Sequence, residues 1–127
     1  MNVSKGLMWH NGEKIRLSHL LEKIPPNKWD WYLYEIEAVG IAPRGMSMID
    51  FEQQVLSSDT GLNLSWDELT SFANSLDDIT NFFLAALLKP VQYSVLDNGD
   101  LSHCLALITI SDSMSWEIKL AKNNNLL

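Results

Sequence analysis

The side chains of this chain that could do acid–base, nucleophilic or metal chemistry are few and scattered. Its three histidines are His10, His19 and His103. None stands at a metal-ligand spacing from another His or Cys. His103 and Cys104 are adjacent, but neighbours on a strand point to opposite faces, so they cannot form a thiol–imidazole pair with each other. Cys104 reads as a small buried hydrophobe. Ser47, Ser65 and Ser113 lack the G-x-S-x-G setting of a nucleophile elbow. Gly45-Met46-Ser47 comes nearest, but Met48-Ile49 follows. The loop Gly40 to Ser47 has no phosphate-loop spacing of Gly and Lys. Asp77-Asp78 has no further oxygen donors at the spacing of a cation loop. Glu35 and Glu37 lie two apart on one strand face, as a paired-carboxylate site would need. Acid–base pairs also need unlike environments, and nothing nearby supplies them. The expectation is therefore no enzyme, no cofactor and no metal site.

What remains is charge. Gly45 to Leu88 carries Asp50, Glu52, Asp59, Asp67, Glu68, Asp77 and Asp78 and not one Lys or Arg. Asp50, Asp67 and Glu68 fit the first turns of helices, where the dipole favours carboxylates. Helix chemistry does not explain the missing bases, because ordinary surfaces mix both signs. Up to Lys28 the balance is the reverse, five bases to two acids. The net charge is −7. That disfavours nucleic acid as a partner, since phosphate binding needs Lys and Arg, and suits a basic protein.

Two helix patterns must position the acidic run. Ser47 can cap Met48 to Leu56, with Phe51 and Val55 four apart on the inner face. Ser65-Trp66-Asp67-Glu68 is a capping box, and its helix runs to about Asn74 with Trp66, Leu69, Phe72 and Ala73 inward. Around them, Trp29 to Val39 alternates as a strand. Its pattern puts Tyr32, Tyr34, Ile36 and Ala38 on one face and Trp31, Leu33, Glu35 and Glu37 on the other. In Ile79 to Leu88, Ala85 and Ala86 favour helix, while a length near ten and Phe82-Phe83 allow a buried strand; strand gives the simpler sheet and is the expectation, with Pro90 breaking it. Val91 to Leu96 and Leu101 to Ile110 read as a hairpin about Asp97-Asn98-Gly99-Asp100, since Asn-Gly favours a two-residue turn. Ser111 to Ser115 is a turn, and Trp116, Ile118 and Leu120 alternate as a last strand. At the start, Asn11-Gly12 is a turn, and apolar spacing over Lys14 to Ile24 predicts a helix stopped by Pro25-Pro26. Ser57 to Asn63 reads as a polar turn. The first few residues and 122–127 are expected to fray.

The chain's 127 residues fit one domain. The fold class expected is α+β, with an antiparallel sheet of four or five strands and two or three helices mainly on one face. One cysteine excludes an internal disulfide. Met1 to His10 has no apolar signal region, and Phe82 to Leu88, the longest uncharged apolar run, is too short to span a bilayer. A cytoplasmic protein, with no membrane partner and a monomer favoured, is the expectation.

The strand WYLYEIEAVGIAP, the helix MIDFEQQVL, the capped helix LSWDELTSFANSL and the closing SDSMSWEIKL together resemble small bacterial immunity proteins. These are the cytoplasmic partners of polymorphic toxins, including those of contact-dependent growth inhibition. The resemblance covers roughly residues 29–120 and rests on size, acidity and element order. It implies a non-enzymatic protein that binds a toxin domain, often a basic nuclease, and blocks its active site or substrate surface. Electrostatic complementarity would speed that encounter, and a few buried aromatic anchors would tighten it. The candidate partner-binding residues are Asp59, Asp67, Glu68, Asp77 and Asp78, then Asp97 and Asp100. A second reading is a small enzyme or ligand-binding domain using Glu35, Glu37 and His103 in a sheet-lined cleft. A third is an adaptor or assembly subunit whose Trp residues form an obligate interface.

Overall fold

The computed structural model describes residues 1–122. Its centre is a six-stranded antiparallel sheet, larger than the sequence pattern predicts. In chain order the strands are β1 (Asn2–Leu7), β2 (Trp9–His10), β3 (Glu13–Lys14), β4 (Asp30–Gly40), β5 (Leu62–Leu64), β6 (Leu76–Leu87), β7 (Cys104–Ser111) and β8 (Ser115–Leu120). The helices are α1 (Leu17–Leu21), α2 (Met48–Leu56), α3 (Trp66–Asn74) and α4 (Tyr93–Asp97). The main sheet runs β1-β8-β7-β6-β4-β5, and β2 and β3 form a separate two-stranded ribbon about the Asn11-Gly12 turn.

Local sequence chemistry explains most of these elements. Ser47 Oγ accepts the Asp50 N–H (3.1 Å) and starts α2, which buries Phe51 and Val55. Ser65 and Glu68 form the reciprocal capping box of α3, which buries Leu69, Phe72 and Ala73. The large side chains Trp31, Phe51 and Phe82 are fully buried together with residues of α1, α2 and α3 on one sheet face. The opposite face carries a smaller cluster of Tyr34, Ala85, Leu87, Leu96, Cys104 and Leu107, to which α4 contributes Leu96. Helices therefore cover both faces, three on one side and the short α4 on the other.

Besides the size of the sheet, five expectations are corrected. The N-terminal residues do not fray: β1 pairs with β8 from Asn2↔Leu120 to Leu7↔Ser115, which gives backbone partners to an edge segment that has no periodic pattern of its own. Residues 123–127 lie outside the described part of the chain. The helix predicted over Lys14 to Ile24 is cut to α1, because Lys14 belongs to β3 and Arg16 is the N-cap. Val91 to Leu96 is not a strand. After Pro90 the flanks of β6 are already filled by β4 and β7, and Tyr93–Asp97 coils instead. The Asn98-Gly99 signal ends that helix rather than turning a hairpin. Gly99 (φ +89°) donates to Leu96 O at 3.0 Å and Asp100 N–H to Val95 O at 3.1 Å, the paired bonds of a Schellman stop. The polar turn at Ser57 to Asn63 is shortened, since Leu62–Leu64 pairs with Trp31–Leu33 as β5.

The fifth correction concerns β4. Its register against β6 slips between Leu33↔Leu84 and Glu35↔Phe83, leaving Tyr34 as the extra residue of a bulge. Side-chain alternation changes phase there. Trp31, Leu33, Ile36 and Ala38 face the main core, while Tyr32 and Tyr34 join the second cluster.

Candidate functional site

The acidic residues singled out by sequence do not converge on one face. Glu68 is tied to Arg44, whose Nε lies 3.1 Å from Oε2 and whose second guanidinium nitrogen lies 3.3 Å from Oε1. That guanidinium, together with the Ser65 N–H, holds the Glu68 carboxyl below its ordinary range. Asp78 pairs with Lys14 and also accepts the Ile79 N–H at 2.9 Å. Asp100 accepts from both Ser102 N (3.1 Å) and Ser102 Oγ (2.7 Å), bonds that lower its carboxyl pKa. Asp97 accepts the Tyr93 hydroxyl at 3.3 Å. Asp67 stands at the start of α3 in a hollow shared with Lys28, Asp30 and Trp66. Asp77 is exposed at the start of β6. The bases missing from the sequence segment are thus supplied in space by Lys14 and Arg44.

One of the predicted residues, Asp59, lies in a cleft with features that its neighbours in sequence do not reveal. The cleft has a volume of about 340 Å³ and is lined by Tyr34, Glu35, Leu56, Ser58, Asp59 and Tyr93. Three elements build it. The bulge of β4 supplies Tyr34 and Glu35. The turn after α2 supplies Ser58 and Asp59, and it sits against the Tyr34 ring only because residue 61 is glycine. A Cβ on Gly61 (φ +83°) would stand 2.9 Å from Tyr32 Cβ and 3.2 Å from the Tyr34 ring. The Schellman-stopped α4 supplies Tyr93.

The two tyrosines that line the cleft form an aromatic triangle with Phe83. Tyr34 meets Phe83 edge-on at 5.8 Å, Phe83 meets Tyr93 edge-on at 5.0 Å, and Tyr34 and Tyr93 are tilted at 6.1 Å. Tyr34 donates its hydroxyl to Val91 O at 2.5 Å, pinning the start of the α4 segment to β4. Burial pushes the Tyr34 phenol up to about 12. Burial, Asp97 and Glu35 also raise the Tyr93 phenol, so both rings are neutral near pH 7. Tyr93 is 42% exposed and Leu56 70% exposed at the rim. Glu35 and Asp59 are exposed, and among the described residues neither is in an ion pair.

Sequence reasoning gave Asp59 and missed Tyr34 and Tyr93 as cleft walls. Glu35 entered only with Glu37 and His103. Those three do not meet. Glu37 pairs across from Asn81 and accepts its side-chain N–H at 2.7 Å. His103 lies beside Leu88, where its carbonyl accepts the Leu88 N–H. Seven residues of strand separate those points, or about 23 Å at the usual rise. Cys104 is buried, donates to Ala106 O, and burial pushes its thiol up to about 11.

The tryptophans are divided. Trp31 and Trp116 are buried, and Trp29, Trp31 and Trp66 pack in a row with centroids 5.9 and 5.5 Å apart. Trp9 is 55% exposed, with Lys14 Nζ 5.8 Å from its ring. Among the described residues no three His, Cys, Asp or Glu side chains gather to hold a metal ion, and no helix is long and apolar enough to cross a membrane. Compared with protein-family models, with curated proteins and with solved structures, the chain matches none.

Proposed function

We propose that this chain is an immunity-type binding protein that neutralises a cognate bacterial toxin domain. The partner its charge fits is a basic domain such as a nuclease, whose active site or substrate surface it would cover. In this reading the protein works in the cytoplasm as a monomer and performs no chemistry of its own.

The observation that carries the reading is the pairing of free carboxylates with aromatic surface at one cleft. Glu35 and Asp59 flank the half-exposed ring of Tyr93 on a chain with a net charge of −7. Long-range attraction then steers a basic partner, and the ring and Leu56 offer apolar contact once it arrives. Asp67 and Asp77 also lie outside the ion pairs of the described residues, away from this cleft, and add to the net negative charge that attracts a basic partner.

The test is co-expression. The C-terminal domain encoded by the reading frame immediately upstream is expressed in a sensitive host with and without this protein. Growth arrest relieved by the protein, and a complex that co-purifies, are the expected results. Arrest that the protein does not relieve, or a harmless neighbour, would remove the immunity assignment for that pair.

A further inference from the structure

The geometry points to a more specific occupant: we infer that the cleft between β4, the α2–β5 turn and α4 takes an arginine side chain of the protein partner, its guanidinium set between Glu35 and Asp59 and against the Tyr93 ring. This inference rests on the binding-protein reading above and names the contact that would anchor it.

Three features select the occupant. First, the cleft offers two carboxylates from different elements, β4 and the α2–β5 turn, with no cation of the chain's own paired to either among the described residues. Second, its wall includes the aromatic residue Tyr93, which is 42% exposed. A planar guanidinium can lie against such a ring and still direct N–H groups sideways to carboxylates, which a compact ammonium cannot do with the same reach. Third, the rim is apolar at Leu56, which suits the methylene stem of a long side chain. The ring is also fixed. Tyr93 is wedged against Phe83 and Tyr34, and its hydroxyl is engaged by Asp97, so little side-chain freedom is lost on binding.

The experiment uses the full chain and small probes, so it does not depend on finding the toxin. N-acetyl-arginine amide is titrated into isotope-labelled protein and followed by NMR, beside the lysine amide and the neutral isostere citrulline amide. Saturable shifts confined to residues 34, 35, 56–59 and 93 are expected with arginine, weaker ones with lysine and none with citrulline. Glu35→Gln with Asp59→Asn, which keep side-chain shape, should weaken arginine binding by about tenfold. Tyr93→Leu should weaken it by a similar factor while Tyr93→Phe does not. Equal shifts from citrulline, preference for lysine, or binding untouched by the double variant would each overturn the assignment. Growth rescue with no arginine binding would leave the immunity reading standing and remove this one. Arginine binding without rescue would do the reverse.

Discussion

Asp77 and Asp78 are neighbours of the same type in the same acidic run, yet the structure gives them different work. Lys14 has a side chain only 13% exposed, and its ammonium donates to Asp78, to Ser113 Oγ and to the carbonyl of Ile79 at 3.0 Å. That one ammonium joins the β2–β3 ribbon, the start of β6 and the β7–β8 turn. Asp78 supplies its negative charge. Replacing Asp78 by Ala leaves a largely buried cation with two neutral acceptors. A hydrogen bond to a charged group contributes about 1.5–3 kcal/mol. The Asp78 side chain is 49% exposed, so solvent screening reduces this to about 1–2 kcal/mol. Asp77→Ala touches no such partner and should stay within about 0.5 kcal/mol of the parent. Urea unfolding followed by tryptophan fluorescence measures both. The deficit of Asp78→Ala should shrink in the variant Lys14→Met, because the two side chains then share one loss. Equal stabilities for the two aspartate variants, or strictly additive losses with Lys14→Met, would refute this account. For function, Asp77→Lys alone probes the partner surface, whereas Asp78→Lys sets two ammonium groups together and tests the fold.

Three further outcomes are expected. Gly99→Ala should cost about 1 kcal/mol, because Gly99 holds the positive φ of the Schellman stop; hydrogen exchange across residues 93–98 should quicken, and unchanged protection there would contradict the role given to that stop. Arg44 lowers the Glu68 pKa from 4.5, so the pair stabilises the fold above the unfolded value and loses that contribution as pH falls through the lowered folded value. In Glu68→Gln the acid limb of a stability-versus-pH curve should therefore be flatter below about pH 4.5, by under ~1 kcal/mol for so exposed a pair; an identical acid limb would contradict it. Cys104, with its thiol pushed up to about 11 by burial, should resist a thiol-alkylating reagent at about pH 8 in the native protein and react on unfolding, and equal rates in both states would count against its burial.

Much of the fold was legible because its signals are local. The Ser47 and Ser65 caps, the inner faces of α2 and α3, the Asn11-Gly12 turn and the period-two pattern of β8 all follow from short-range chemistry, whereas in β6 Ala85 and Ala86 favour helix locally and the sheet decides for strand. The misreadings have a common source in tertiary context. Asn98-Gly99 offers positive φ, and positive φ serves a hairpin turn and a helix stop equally well. Only the occupied flanks of β6 decide between them. The residues Asn2–Leu7 have no apolar period because an edge strand with exposed side chains needs none; its partner β8 selects it through backbone bonds. The acidic run suffers the same limit. Its lack of bases is real along the chain, but Lys14 and Arg44 come from before it and neutralise Asp78 and Glu68 in space. A charge run in sequence is not yet a charged patch.

The cleft itself turns on one residue of irregular backbone. In an unbroken strand Tyr34 and Glu35 would point to opposite sides of the sheet. The bulge lets β4 carry both on the second face, so a phenol wall and a carboxylate rim come from consecutive positions. The same change of phase returns Ile36 to the main core, so the strand keeps its burial on that side. Gly61 then brings the α2–β5 turn, and with it Asp59, down onto Tyr34, while the Tyr34 hydroxyl fastens Val91 and aligns α4 so that Tyr93 closes the third wall. Each of these contacts runs through Tyr34. The physical consequence is that the ring which shapes the cleft is also the one that holds its three elements together. Binding at the cleft and order in α4 should therefore respond as a unit when Tyr34 is changed, whereas Glu35 and Asp59 can be altered for charge with the framework intact.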